Sequence, residues 1–258
     1  RKVYPDLPQT REAPYSFAYT AKGLMIIAIP ITLGSAGLQF LTMLETKIYM
    51  GRLLEFYTQA AADTMRGIYG MTQTIFNMPC AFITPITISI IPAITAQLTL
   101  NNPAGAKETA ESSARITSLI ALPCAVGLFV LAEPVTALIG GYEGESLVLA
   151  GRLMALMGIG VFFYSIVQLT NAVMQAHGHA SIPVVNMLTA GVVKLGVVYL
   201  LAGNPRIHIM GAPLGSVLGY AAIAAMNLIA ISRMVPQKQA LLRNLLRPVV
   251  TAGIMGLA

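Results

Sequence analysis

Apolar residues gather in six stretches of this chain, at 23–44, 67–98, 115–138, 147–174, 182–202 and 209–231, with polar residues collected between them. A run of ~20 apolar residues crosses the ~30 Å hydrocarbon core of a bilayer as a helix. The runs are apolar on all sides, and longer than the ~10-residue alternating strands of a membrane barrel. Backbone in lipid must satisfy its own hydrogen bonds, so the pattern predicts helices. The expected fold is all-α and integral to the membrane: a bundle of about six complete transmembrane helices. A further apolar run begins near Pro248, which predicts the start of a seventh helix over 248–258.

The segments between the runs complete the organisation. Residues 1–22 carry Pro5, Pro8 and Pro14 among polar residues and read as a loop or interfacial segment. Residues 53–66 read as a short, partly amphipathic connection, and residues 99–115 as a loop. The six-helix lobe is expected over 23–231, and a basic segment over 232–247. The second run has 32 residues, more than one crossing needs, so tilt or bending is expected there. Pro79, Pro85 and Pro92 supply the hinge positions, because proline removes a backbone donor and crowds the preceding turn. The sequence starts without Met and stops inside an apolar run, so the expectation is a piece of a longer protein.

Charge sets the orientation. Six crossings place residues 1–22, 99–115, 175–181 and 232–247 on one side. That side holds ten of the sixteen Lys and Arg residues; the opposite side holds five. The excess predicts that residues 1–22 and 232–247 are cytoplasmic, in a multi-pass plasma-membrane protein. Arg233, Lys238, Arg243 and Arg247 form a juxtamembrane basic segment suited to anionic membrane lipids. Charged residues make up only 10% of the chain against 56% hydrophobic, where soluble domains carry ~25% charged. The net charge of +6 therefore reads as membrane topology, with no nucleic acid as partner.

The remaining cation is Lys194, inside the otherwise uncharged run 182–202. An ionisable residue within a membrane span is costly and marks a functional site by default. It stands ~12 Å below the outer end of its helix, counting 1.5 Å per residue. Two readings follow: a cation facing an internal cavity, able to meet an anionic headgroup, or a lysine that snorkels or is hydrogen-bonded. Gln168, Asn171 and Gln175 share one helix face by their spacing of three and four. Gln73 and Asn77 form a second polar pair, one turn before the Pro79 position. Each set is either a hydrophilic substrate lining or interhelical glue. Glu45, closing the first run, is either a site for a coupling cation or proton, or an interfacial acid in water. Glu133 reads as interfacial.

Other features point to packing. Gly215 and Gly219 are spaced to allow close helix contact. Cys80 and Cys124 fall inside spans and read as small apolar fillers. His177 and His179, in a short turn with no third ligand near, predict no metal site, and nothing implies a cofactor. No nucleophile elbow, zinc-protease or phosphate-loop motif occurs. The acid pairs Glu143/Glu145 and Glu108/Glu111 are expected in loops on opposite sides, so no catalytic residues are assigned and an enzyme is not expected.

Four stretches carry a family resemblance. They are Ile29-Pro30-Ile31-Thr32-Leu33-Gly34; Tyr69-Gly70 with Asn77-Met78-Pro79 and Ser89-Ile90-Ile91-Pro92-Ala93-Ile94; Pro123 to Glu133; and Met174-Gln175-Ala176-His177-Gly178 leading to Lys194. The chain resembles the multidrug/oligosaccharidyl-lipid/polysaccharide exporter superfamily, in the branch of stage V sporulation protein B and lipid II flippases. The resemblance implies one lobe of a two-lobed transporter of about fourteen helices, here helices seven to twelve and the start of thirteen. Its partner would be the missing N-terminal lobe. It further implies alternating access that moves an undecaprenyl-diphosphate-linked oligosaccharide or peptidoglycan precursor. Diphosphate would meet cations, and glycan would meet Gln and Asn. Two departures stand out. Some lipid II flippases carry Arg and Glu in the middle of the eighth helix, whereas residues 67–98 hold no charge beyond the flanking Arg66. The acid closing the first span is Glu45, where Asp is commoner in the branch. Two alternatives remain: a cation-coupled multidrug exporter on the same fold, and an integral-membrane enzyme or scaffold of cell-envelope polysaccharide synthesis.

Overall fold

The structure, a computed structural model, describes residues 39–234 together with Met25, Gly37 and Leu241. The chain divides into the units Arg1–Gln39 and Phe40–Ala258, and the account below concerns the second. The loop expected at 1–22, most of the first span, most of the basic segment 232–247 and the run 248–258 lie outside the described residues.

Helix α1 comprises helical residues 40–53 and ends in a turn at 54–58. Then follow α2 (Gln59–Thr99), α3 (Pro103–Val130), α4 (Ala132–Gly140), α5 (Gly144–Ala176), α6 (Ser181–Ala202), a 3-10 turn (His208–Met210) and α7 (Gly211–Met234). Five helices are long and apolar enough to cross a membrane: α2, α3, α5, α6 and α7 with its leading 3-10 turn. They are the second to sixth predicted spans. The fold is all-α and multi-pass, and no strand occurs among the described residues.

The helix ends have local causes. Thr58 caps α2 by accepting from the Ala61 amide. Asn102 caps α3 the same way at the Gly105 amide, with Pro103 in the first turn, where its missing donor costs nothing. α5 stops at His177, where Gly178 adopts φ +80°. The Gly178 amide donates to Gln175 O and the His179 amide to Met174 O, which satisfies two terminal carbonyls. Gly141 closes α4 in the same left-handed region, at φ +64°.

Three expectations need correction. The residues between the second and third spans are not a loop at 99–115: α3 already starts at Pro103, and Glu108 and Glu111 lie on it. An amphipathic turn of helix has no apolar signature, so a bilayer-length window ends early. The third span does not run unbroken to Leu138. It stops at Val130, and the short α4 restarts at Ala132. Pro134 has no amide to offer the Val130 carbonyl four residues back, which is where a helix breaks. The connection predicted over 53–66 shrinks to 54–58, because α2 begins at Gln59.

α2 continues as one helix of 41 residues through Pro79, Pro85 and Pro92. At 1.5 Å per residue it is ~60 Å long, about twice the hydrocarbon thickness. Thr84, Thr87, Ser89 and Thr95 turn their hydroxyls back onto carbonyls of the preceding turn. Such back-bonding bends helices slightly.

α5 is the central helix, packed against α2, α3, α4 and α7, while α6 packs chiefly on α7. Small residues make this possible. A Cβ at Gly158 would stand 2.8 Å from the Phe129 amide nitrogen and 3.1 Å from the Ala125 oxygen, so α3 and α5 touch backbone to backbone. The core forms one cluster around Tyr69, Leu153 and Met154, and a second around Ile94, Leu169 and Val173. Cys80 and Cys124 are free thiols. Outward, α6 presents Val185, Val192, Val193 and Leu200, a surface suited to acyl chains.

Candidate functional site: a buried ion pair between α1 and α6

The face of α1 turned into the bundle carries Leu41, Glu45, Tyr49 and Leu53, one helical turn apart. Tyr49 and Leu53 are buried with Glu45. Opposite, α6 brings Gly191, Lys194 and Val198. A Cβ at Gly191 would collide with the Leu41 side chain, so the glycine admits α1. One turn on, Lys194 Nζ donates to Glu45 Oε2 at 2.6 Å. The two ionisable residues singled out in the sequence are therefore partners.

The environment of this pair is asymmetric. The Lys194 side chain is 23% exposed and that of Glu45 only 7%. Glu45 Oε1 is buried with no hydrogen-bond partner. Tyr49, Tyr69 and Tyr220 lie in electrostatic range of the carboxylate, and the Tyr69 hydroxyl pairs with Ser216 Oγ at 3.4 Å. Under the lysine lies α7. Positions 215 and 219 bring the Lys194 stem to within 3.5–3.7 Å of a would-be Cβ. At Gly215 a Cβ would first meet Val198 Cγ2, so the glycine admits α6 closely, with the Lys194 stem in ordinary van der Waals contact beside it. Glu45 is no interfacial acid in water: at 5% exposed that alternative is excluded.

A second anchor joins the same helices. Arg52 Nη1 donates to both oxygens of Glu55, at 2.6 and 2.8 Å. Its guanidinium lies 4.7 Å from the Tyr199 ring centre and against Gly203, where any side chain would displace it. A guanidinium over a ring face is held electrostatically, and arginine makes this contact more often than lysine.

The other predicted polar residues do not converge on Lys194. Gln168, half-buried, donates to Thr84 Oγ1 at 3.3 Å, and Thr84 pairs with the Tyr164 hydroxyl. Asn171, buried, accepts from Asn227 Nδ2 at 2.8 Å. Asn227 also donates to Thr170 Oγ1 and accepts from Asn186. These contacts tie α5, α6 and α7 together, as polar glue does in membrane bundles. Gln175 is exposed at the end of α5, Asn77 is exposed on α2, and Gln73 is half-buried there. Sequence reasoning missed Asn186 and Asn227, although a lone Asn in an apolar run is the same kind of signal as Lys194. It also missed the tyrosines around Glu45, which composition alone does not separate from ordinary core.

A cavity of about 270 Å³ lies between α3, α4 and α5, lined in part by Glu133 and Arg152, and another of about 370 Å³ lies between α2, α5 and the 3-10 turn, lined in part by Glu145 and His208; neither reaches Glu45, Lys194 or the predicted Gln and Asn residues. His177 Nδ1 contacts its own helix at Val173 O. No cluster of three metal-ligating side chains occurs among the described residues.

The bundle and its buried pair define a multi-pass membrane protein built of long, closely packed helices. The chain belongs to the MatE family, whose model matches residues 65–200, just over half its length. It is 25% identical over 216 residues to stage V sporulation protein B of Bacillus subtilis, covering 83% of this chain and 40% of that protein. It is equally 25% identical over 236 residues to the uncharacterized membrane protein YabM of the same organism, covering 91% and 42%. The chain thus spans about two-fifths of the length of these curated relatives. Among solved structures it resembles an inward-facing multidrug resistance MATE family transporter of the MOP superfamily. The TM-score is 0.50 at 14% identity, over 82% of this chain and 54% of that one. That likeness is one of fold.

Proposed function

We propose that this chain is one lobe of a flippase that moves a lipid-linked, diphosphate-bearing saccharide across the plasma membrane by alternating access. Residues 1–22 and 232–247 would face the cytoplasm, and a second lobe would complete the transport path. The observation that carries this reading is Lys194, a partly exposed lysine held within an apolar helix against Gly219 of α7. Carrying a charged headgroup through hydrocarbon is prohibitive, and a wet cavity lined by protein removes most of that cost. A cation at mid-height gives the diphosphate a charge-assisted partner there. Gln73 and Asn77 on α2 and Gln175 on α5 offer hydrogen bonds to the glycan from the surface of the lobe. Membership of the MatE family and the similarity to stage V sporulation protein B support a transporter of this superfamily. Pro79, Pro85 and Pro92 would let α2 bend between the two access states. Anionic lipids would gather at the basic segment.

A cation-coupled multidrug exporter is the second reading, favoured by the buried carboxylate Glu45. Its weakness is that Lys194 already occupies the carboxylate, so a cationic drug meets a neutral pair. The test is Lys194→Ala in the full-length protein, at matched membrane levels. Loss of lipid-linked sugar export, with accumulation of the precursor and unchanged drug sensitivity, is expected. Export that continues undiminished would defeat the proposal.

A further inference from the structure

The ion pair is built unequally, and this inequality says what happens when Lys194 binds something else. Glu45 is buried, its side chain 7% exposed against 23% for that of the lysine. Its only ion-pair partner among the described residues is Lys194, which bonds one oxygen and leaves Oε1 bare and buried. Lys194 from α6 bonds the carboxylate, and Tyr49 from its own helix, Tyr69 from α2 and Tyr220 from α7 lie within electrostatic range of it. Among the described residues no second cation forms an ion pair with Glu45, and Arg66, on α2, reaches Tyr49 instead. A buried carboxylate stripped of its partner is strongly destabilising, and a proton is the smallest species that removes the charge.

We infer that Glu45 and Lys194 form an exchange site, in which an anionic headgroup takes the ammonium and a proton takes the carboxylate. This rests on the reading of Lys194 as the headgroup's cation. The charges balance: the neutral pair gives way to a neutral carboxylic acid and an ammonium paired with phosphate oxygen. The one bond made at Glu45 is O–H, with the proton drawn from water. The lysine stem rests against α7 at Gly219, so the ammonium would turn outward while its stem stays packed. On release of the anion the ammonium returns and the proton leaves. Glu45 is thus a positioning residue, an internal stand-in for the substrate's own anion. Each headgroup captured is accompanied by one proton at Glu45.

The test is calorimetric. The full-length protein is titrated with geranyl diphosphate, a water-soluble prenyl diphosphate, in slightly acid buffers of differing ionisation heat. The heat difference counts the protons taken up on binding. Wild type is expected to take up about one proton more per diphosphate than Glu45→Gln. Glu45→Gln is also expected to bind about 10-fold tighter, since the internal competitor is gone. Lys194→Gln weakens binding by about 10-fold or more. The double variant Glu45→Gln/Lys194→Gln, a neutral pair of similar shape, checks that weakening is not loss of fold. Equal proton uptake in wild type and Glu45→Gln, with affinity still set by Lys194, overturns the exchange and leaves the anion reading standing. Sodium-dependent binding in place of proton uptake overturns it as well. Affinity indifferent to Lys194 overturns the reading beneath it.

Discussion

Lys194→Met destabilises the bundle by about 3 kcal/mol, and adding Glu45→Gln in the same chain restores most of that loss. Removing one member of a buried ion pair costs about 3–5 kcal/mol, because the survivor is left charged without compensation. The lower end applies here, since Lys194 is partly exposed. Replacing both members by neutral groups of similar shape is often neutral. Methionine keeps the unbranched stem that lies on Gly215 and Gly219, so lost packing contributes little. The measurement is unfolding of the helical signal by denaturing detergent, for both single variants and the double. A Lys194→Met loss that Glu45→Gln does not relieve would show that the lysine stabilises by packing alone.

Gly158→Leu is the second large effect. A Cβ there meets the Phe129 amide nitrogen at 2.8 Å and the Ala125 oxygen at 3.1 Å, and backbone cannot swing away as a side chain can. Overpacking of this kind costs about 1–3 kcal/mol or more, and the added branch of leucine puts the expectation at the upper end. The α3–α5 contact would open and the core around Met154 and Met157 would loosen. Gly196→Leu is the control: a Cβ there meets nothing within 4 Å, so its effect is expected within ~0.5 kcal/mol. Similar unfolding midpoints for the two variants would contradict the close approach of α3 and α5.

The spans were legible because lipid permits one solution for a long apolar run. Runs 147–174 and 182–202 differ from α5 and α6 by no more than three residues at either end. Legibility failed where polar helix continues past the bilayer, as at the start of α3 and α2, and where Pro134 splits a run that stays apolar. The site was half legible. Lys194 and Glu45 each stand out as charges at the edge of or within an apolar run, yet 149 positions separate them, and no periodicity reports a contact between helices. Separations of 56 and 41 positions hide the Asn171–Asn227–Asn186 network in the same way. Once these partners are known, Gln168 and Asn171 read as cross-links between helices, while Asn77 and Gln175 are exposed and Gln73 is half-buried.

The account turns on Lys194 opening toward water when its partner lets go. The direct measurement uses full-length protein with Cys80→Ala and Cys124→Ser, carrying Lys194→Cys and Glu45→Gln, treated in membranes with a water-soluble maleimide. Labelling is expected, and geranyl diphosphate should leave it in place, since the anion's partner is gone. A thiol that stays unlabelled from both sides of the membrane, while one placed by Asn77→Cys on the same background reacts, would put position 194 against lipid and contradict the account.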